Sequence, residues 1–131
     1  MIDTQKYATG LVGEGVIRDW LKDHKIHHLQ ADLLFYYKDK WYIAEIKHQE
    51  RFEPPPFDGH GLPRWQVDAR LKFQQQTGIR AVFFVVEKPS GIVFWNYIDE
   101  LVKGESLQTK GTKPRLIFPV KSFNILEMDN R

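Results

Sequence analysis

The chain has no cysteine, which excludes disulfides and zinc–thiolate centres as devices for holding it together and is compatible with a reducing compartment. No apolar run approaches the ~20 residues that a membrane-spanning helix requires, and the first ten residues, MIDTQKYATG, lack the apolar core of a signal peptide. A soluble cytoplasmic protein with no membrane partner is the expectation. There is no strong excess of one charge: 19 Lys and Arg stand against 17 Asp and Glu, a net +2 that permits a polyanionic partner without demanding one. No internal repeat, low-complexity tract or interdomain linker divides the 131 residues, which are 42% hydrophobic and 14% aromatic and predict one domain, 1–131, around one core. Two kinds of chemistry are also missing. GLVGEG at 10–15 has neither the preceding strand nor the following Lys-Ser or Lys-Thr of a phosphate-binding loop, and no Ser-His-Asp nucleophile signature is present. The histidines at 24, 27, 28, 48 and 60 lack the cysteine or carboxylate spacing of a structural zinc site.

What is present has a clear order. Leu11, Ile17 and Leu21 recur at helical spacing, with Val12, Val16 and Trp20 beside them, and predict a helix over 4–24 capped by Asp3. Alternating apolar residues predict strands at 32–38 and 41–47 joined by a turn at Lys38, Asp39 and Lys40. Residues 48–63, HQERFEPPPFDGHGLP, contain four prolines and two glycines and read as a long, mobile loop insertion. A second helix over 64–76 begins after Pro63 and ends at Gly78, with Trp65, Ala69 and Phe73 as its apolar stripe. AVFFVV at 81–86 predicts a strand buried on both faces; a turn at 88–91, a strand at 92–96 and a short helix at 97–103 follow. Residues 103–115, KGESLQTKGTKPR, hold Lys103, Lys110, Lys113 and Arg115 against Glu105, and read as a basic loop that is either a solvated surface or a phosphate-contacting arm. RLIFPVK adds an edge strand in which Pro119 is tolerated. This order predicts an α/β protein with a mixed central sheet flanked by helices.

Charges in the hairpin need a reason. Glu45 and Lys47, two apart on a strand, share one face with Trp41 and Ile43. If Lys38 pairs with Trp41, Leu34 lies opposite Glu45 and Asp32 opposite Lys47, so the three charges converge; a three-residue turn would send Asp32 to the other face, and a four-residue loop would restore convergence. Two nearby carboxylates repel, and a hard divalent cation such as Mg²⁺ relieves that repulsion. A lysine beside them can act on a water or on a phosphate under attack. An exposed ion-pair face on the hairpin is the plainer alternative. Glu14 shares a helical stripe with Gly10, Ile17 and Leu21, where a carboxylate is costly unless paired, and Gly13 and Gly15 beside it suit close approach of another backbone or a ligand. Gln66 and Arg70, four apart on the second helix, share a face, either toward a metal-bound water or phosphate or toward solvent.

A helix with Glu14, a hairpin with Asp32, EIK at Glu45–Lys47, a helix opening with Gln66 and a buried strand after it together resemble the PD-(D/E)XK nuclease superfamily over residues 8–97. Within it, the small size and the glutamate on the first helix look most like the Holliday junction resolvases of archaea and phages. The resemblance implies a restriction-endonuclease-like core and a Mg²⁺-dependent DNA endonuclease, with Mn²⁺ able to substitute. It further implies Asp32 and Glu45 as metal ligands, Glu14 as an accessory acid at the metal, Lys47 as the catalytic lysine and Gln66 as the polar residue of the following helix. Ala31 stands where the name-giving proline would be. DNA contacts are expected from Arg70, His48, Lys110, Lys113 and Arg115, with His60 a further candidate for phosphate, and a homodimer would place two sites on a branched DNA. A nuclease of restriction, repair or homing type, and a noncatalytic DNA-binding or assembly module that keeps the fold, are the competing functions.

Overall fold

The computed structural model describes residues 15–17, 19–26, 33–53 and 56–127. The chain forms two compact units, Met1–Gln30 and Ala31–Arg131, each considered by itself. In the first, residues 15–17 and 19–23 are helical (α1), as the apolar spacing predicts. Val16, Ile17 and Trp20 are exposed, and an added Cβ at Gly15 would meet nothing within 4 Å among the described residues.

The second unit is α/β. Its mixed five-stranded sheet has the order β1-β2-β4-β5-β8, built from β1 (Leu33–Tyr37), β2 (Lys40–Glu50), β4 (Arg80–Lys88), β5 (Val93–Tyr97) and β8 (Asn124–Leu126). A smaller sheet, β3-β7-β6, joins β3 (Gly59–Pro63), β7 (Arg115–Pro119) and β6 (Leu107–Gln108). Helices α2 (Arg64–Thr77) and α3 (Ile98–Lys103) complete the unit with a 3-10 turn at Val120–Ser122. No helix among the described residues is long and apolar enough to cross a membrane.

β1 and β2 are antiparallel and β2 and β4 parallel, so the chain must cross from one end of the sheet to the other between β2 and β4. α2 makes most of that return. It is linked to β4 only through Gly78 and Ile79, Gly78 adopting the left-handed conformation (φ 78°) that ends the helix. Gln74 ties the corner: its Oε1 accepts from the Ala81 N–H at 3.0 Å and its Nε2 donates to Asp99 at 3.1 Å. A helix turned back so tightly onto the sheet runs antiparallel to β4, and hence to β2. Odd-numbered residues of both strands (Ile43, Glu45, Lys47; Ala81, Phe83, Val85) share the face that α2 covers. Ile43, Phe83, Val85 and Phe94 of this face pack with Leu62, Val67, Ile98, Leu101, Phe118 and Phe123 as the core. On the opposite face Phe35, Tyr37, Tyr42, Phe84, Trp95 and Tyr97 line a shallow groove of about 310 Å³.

Several expectations need correction. The hairpin turn is Lys38–Asp39, both left-handed (φ 48° and 66°), a geometry whose twist matches the flanking strands. Tyr37 therefore pairs with Lys40 and Leu34 with Ile43, two residues away from the register that pairs Lys38 with Trp41. Because the slip is even, every side chain keeps its face. The segment 48–63 is not one long loop: β2 continues to Glu50, and Gly59–Pro63 is strand β3, paired antiparallel with β7. Nor is β7 an edge strand. It lies between β3 and β6, and Pro119 is accommodated at its last position, opposite Gly59. The basic segment 103–115 likewise contains β6, paired with β7. On α2 the buried residues are Val67 and Arg70, whereas Trp65, expected in the apolar stripe, is 67% exposed.

The glycines of β3 have a steric cause. A Cβ at Gly59 would overlap the carbonyl oxygen of Phe118, and one at Gly61 that of Leu116, both backbone atoms of β7 that have no room to yield. Gly61→Ala is therefore expected to lower stability by on the order of 3 kcal/mol, as other overpacking does, whereas Gly15→Ala should cost nothing. Urea denaturation of the two variants checks this, and equal midpoints would contradict it.

Candidate active site

Glu45 lies in the middle of β2, where the sheet contributes no solvent, and its side chain is 4% exposed. That burial would be costly for a lone carboxylate. Arg70, 5% exposed on the face of α2 turned to the sheet, donates from Nη2 to Glu45 Oε1 and closes a buried ion pair. Arg70, expected to reach nucleic acid, is thus committed to Glu45.

The pair also fixes which residues meet above it. From Arg70 back to Gln66 is four helical residues, about 6 Å, and from Glu45 forward to Lys47 is two strand residues, about 6.6 Å. With α2 antiparallel to β2, these displacements run the same way, so Gln66 stands level with Lys47 toward the carboxyl ends of the parallel strands. Lys47 is half-buried, and among the described residues its ammonium group makes no ion pair. Gln66 Oε1 is buried and, among the described residues, accepts no hydrogen bond. A cation on β2 and a buried oxygen on α2 thus stand at one level, one strand step beyond the buried carboxylate. α2 opens there without a capping side chain and with no acidic residue in its first turn.

Farther along the same face lies a network that sequence reasoning missed. His60 is wholly buried, not an exposed loop residue for phosphate contact. Its Nε2–H donates to Glu87 Oε2 at 2.6 Å, and its Nδ1 stands 3.1 Å from Gln49 Oε1. Arg51 donates to both oxygens of Glu87, at 2.9 and 3.0 Å. Gln49 also accepts from the Gly61 N–H at 3.2 Å, so the network joins β2, β3 and β4 beyond Lys47. Burial lowers the His60 pKa, against the opposing hydrogen bond from Glu87. Burial acts to raise the Glu87 pKa, but hydrogen bonds from Arg51 and His60 outweigh it and the net shift is down. Nothing in HGLP announces this network, since its partners lie 11 and 27 residues away.

Other candidates are dispersed. Glu14 and Asp32 lie outside the described residues, and among the described residues no three His, Asp or Glu side chains converge as a metal site. His48 is exposed on β2, but strand alternation turns it to the face opposite Lys47, so the two do not act on one phosphate. Lys110 and Lys113 are exposed. Arg115 is half-buried, donates to the Gly61 carbonyl at 3.2 Å, and places its guanidinium 5.4 Å from the Phe52 ring centre. The basic segment nevertheless reaches the site's edge: the Arg64 N–H donates to the Pro114 carbonyl at 2.9 Å, and Pro63 pairs with Arg115. Comparison with protein-family models, curated proteins and solved structures finds no match to this chain.

Removing one partner of a buried pair strands the other charge, so Arg70→Ala should destabilise by about 3–5 kcal/mol. The double variant Glu45→Leu with Arg70→Met should cost much less, and an equal loss in urea denaturation would show that packing, not charge, is at issue. Acid should also loosen the unit. His60, with its pKa lowered on folding, binds a proton less readily than the unfolded chain, so stability falls as pH drops below its ordinary value of 6.5. Glu87, also lowered, adds stability above its ordinary 4.5 that is lost as pH falls further through its folded value. Melting temperatures measured down this range should show the first decline disappear in His60→Phe; an unchanged profile would remove His60 as its source.

Proposed function

We propose that the protein is a Mg²⁺-dependent DNA endonuclease with a restriction-endonuclease-like core of the PD-(D/E)XK kind. The observation that carries this reading is the buried Glu45–Arg70 pair, which sets Gln66 of α2 level with Lys47 of β2, toward the carboxyl ends of two parallel strands. Glu45, with Asp32, would hold the cation, and Mn²⁺ would substitute. The orphaned, buried Gln66 Oε1 fits such a centre, since a hard cation or its water takes oxygen ligands. The reading requires Asp32 beside Glu45, and the described pairing, in which even-numbered β1 residues oppose odd-numbered β2 residues, has the parity that this requires. When bound, the cation supplies Lewis acidity to the phosphate and acidity to the attacking water. Arg70 orients the Glu45 carboxylate, Lys47 offsets the charge that builds on the phosphate, and Gln66 positions the water or a phosphate oxygen. A homodimer acting on branched DNA, as a Holliday junction resolvase does, is the form of the activity proposed.

One observation favours a second reading. Glu45 is already neutralised by Arg70, as expected of a module that keeps the fold, binds DNA and does not cut it.

Cleavage of labelled duplex, single-stranded and four-way-junction DNA, with and without Mg²⁺, separates the two. In the nuclease, Lys47→Ala should slow single-turnover cleavage ~10² to 10³-fold while DNA affinity measured in Ca²⁺ stays nearly intact. If affinity falls as far as rate, or if the unmodified protein cuts nothing in Mg²⁺ or Mn²⁺, the binding module is the correct description.

A further inference from the structure

Trp65 stands out once the core has been accounted for. The core face of α2 is supplied by Val67, with Leu71 and Phe73 packed against it, and takes nothing from Trp65, which is 67% exposed in the first turn. Among the described residues its ring has no aromatic or cationic partner. It directly precedes Gln66 in the first turn of α2.

The surroundings of this ring are basic. Arg64 precedes it; its N–H donates to Pro114, and its guanidinium contacts Gln108 and, at 3.3 Å, Asp68. Pro114 lies between Lys113 and Arg115, so the backbone of the basic segment meets the first turn of α2, with Lys113 exposed and the Arg115 guanidinium held at the Gly61 carbonyl and the Phe52 ring. Asp68 is the one carboxylate on the adjoining turn, and Arg64 neutralises it. An exposed indole on a helical turn that meets a basic segment suits a partner that carries flat rings and phosphates on one chain. A base inside a duplex hides its faces in the stack, whereas an unpaired base can lie on an aromatic side chain.

We propose that Trp65 is a stacking platform for an unpaired base of the bound nucleic acid, beside phosphates contacted by Lys113, so that binding selects strands with unpaired bases. The proposal rests on the nucleic-acid reading above and adds the feature of the substrate that is recognised.

The test is equilibrium binding in Ca²⁺ of two probes, a fully paired duplex and the same duplex with one strand extended by unpaired thymidines. Stacking on an aromatic residue is worth ~1–3 kcal/mol per base, so Trp65→Ala should weaken binding of the extended probe ~5 to 150-fold and leave the paired duplex within about 2-fold. Trp65→Phe, which keeps an aromatic face, should recover most of the loss. Both variants should melt with the unmodified protein, because the side chain is largely in solvent. Equal weakening of both probes, or none, overturns the proposal, as does failure of the unmodified protein to prefer the extended probe. A Trp65 effect confined to a protein ligand would mark a protein-docking surface and also overturn it. Because binding in Ca²⁺ needs no cleavage, selectivity through Trp65 in a protein that never cuts in Mg²⁺ sustains this proposal and removes only the nuclease. Cleavage indifferent to Trp65 does the reverse.

Discussion

Glu45 and Arg70 leave water together, and much of the candidate site depends on their doing so. Neither charge is tolerable alone in the middle of an apolar sheet face, so the carboxylate on β2 dictates where α2 must lie along the strand. That longitudinal setting puts Gln66 level with Lys47. Shifting the helix by one turn would bury Gln66 against Glu45 and carry Arg70 toward the opposite end of the strand.

The crossover supplies the frame within which the pair acts. Parallel pairing of β2 with β4 obliges the chain to return, and the short link through Gly78 holds α2 close against the sheet. The return path also carries β3, whose glycines let β7 approach until backbone meets backbone. Through that contact the basic segment before β7 comes to the start of α2. The Glu45–Arg70 pair thus ties the segment carrying Trp65 and Gln66 to β2, and the Arg64–Pro114 hydrogen bond ties it to the segment carrying Lys113 and Arg115.

A layer of buried polarity closes this end. Glu87 accepts from His60 and Arg51, and Gln49 from the Gly61 N–H, across β2, β3 and β4, so the buried carboxylate of this layer is paired. Gln66 Oε1 is the contrast, a buried oxygen left without a donor among the described residues. Such an exception costs free energy in the isolated unit, and a ligand that satisfied it would regain that cost.

Local chemistry made part of this readable. The helix ending at Gly78, the buried strand around AVFFVV and the common face of Glu45 and Lys47 follow from the conformational freedom of glycine, apolar continuity and strand alternation, all of which act within a few residues. The same local signals misled where pairing was distant. Prolines and glycines made 48–63 look like a loop, yet Gly59–Pro63 is a strand because β7, more than fifty residues on, pairs with it. Trp65 looked like core because its spacing matched Ala69 and Phe73, but Val67 and Arg70 turned inward, where Arg70 pairs with the buried Glu45. The sequence by itself determined which side chains share a strand or helix face, because that periodicity belongs to the backbone. Which faces meet, and therefore which charges pair, which histidine is buried and which tryptophan is left in water, was decided only by tertiary structure, because burial is a property of partners that the chain brings together from far apart.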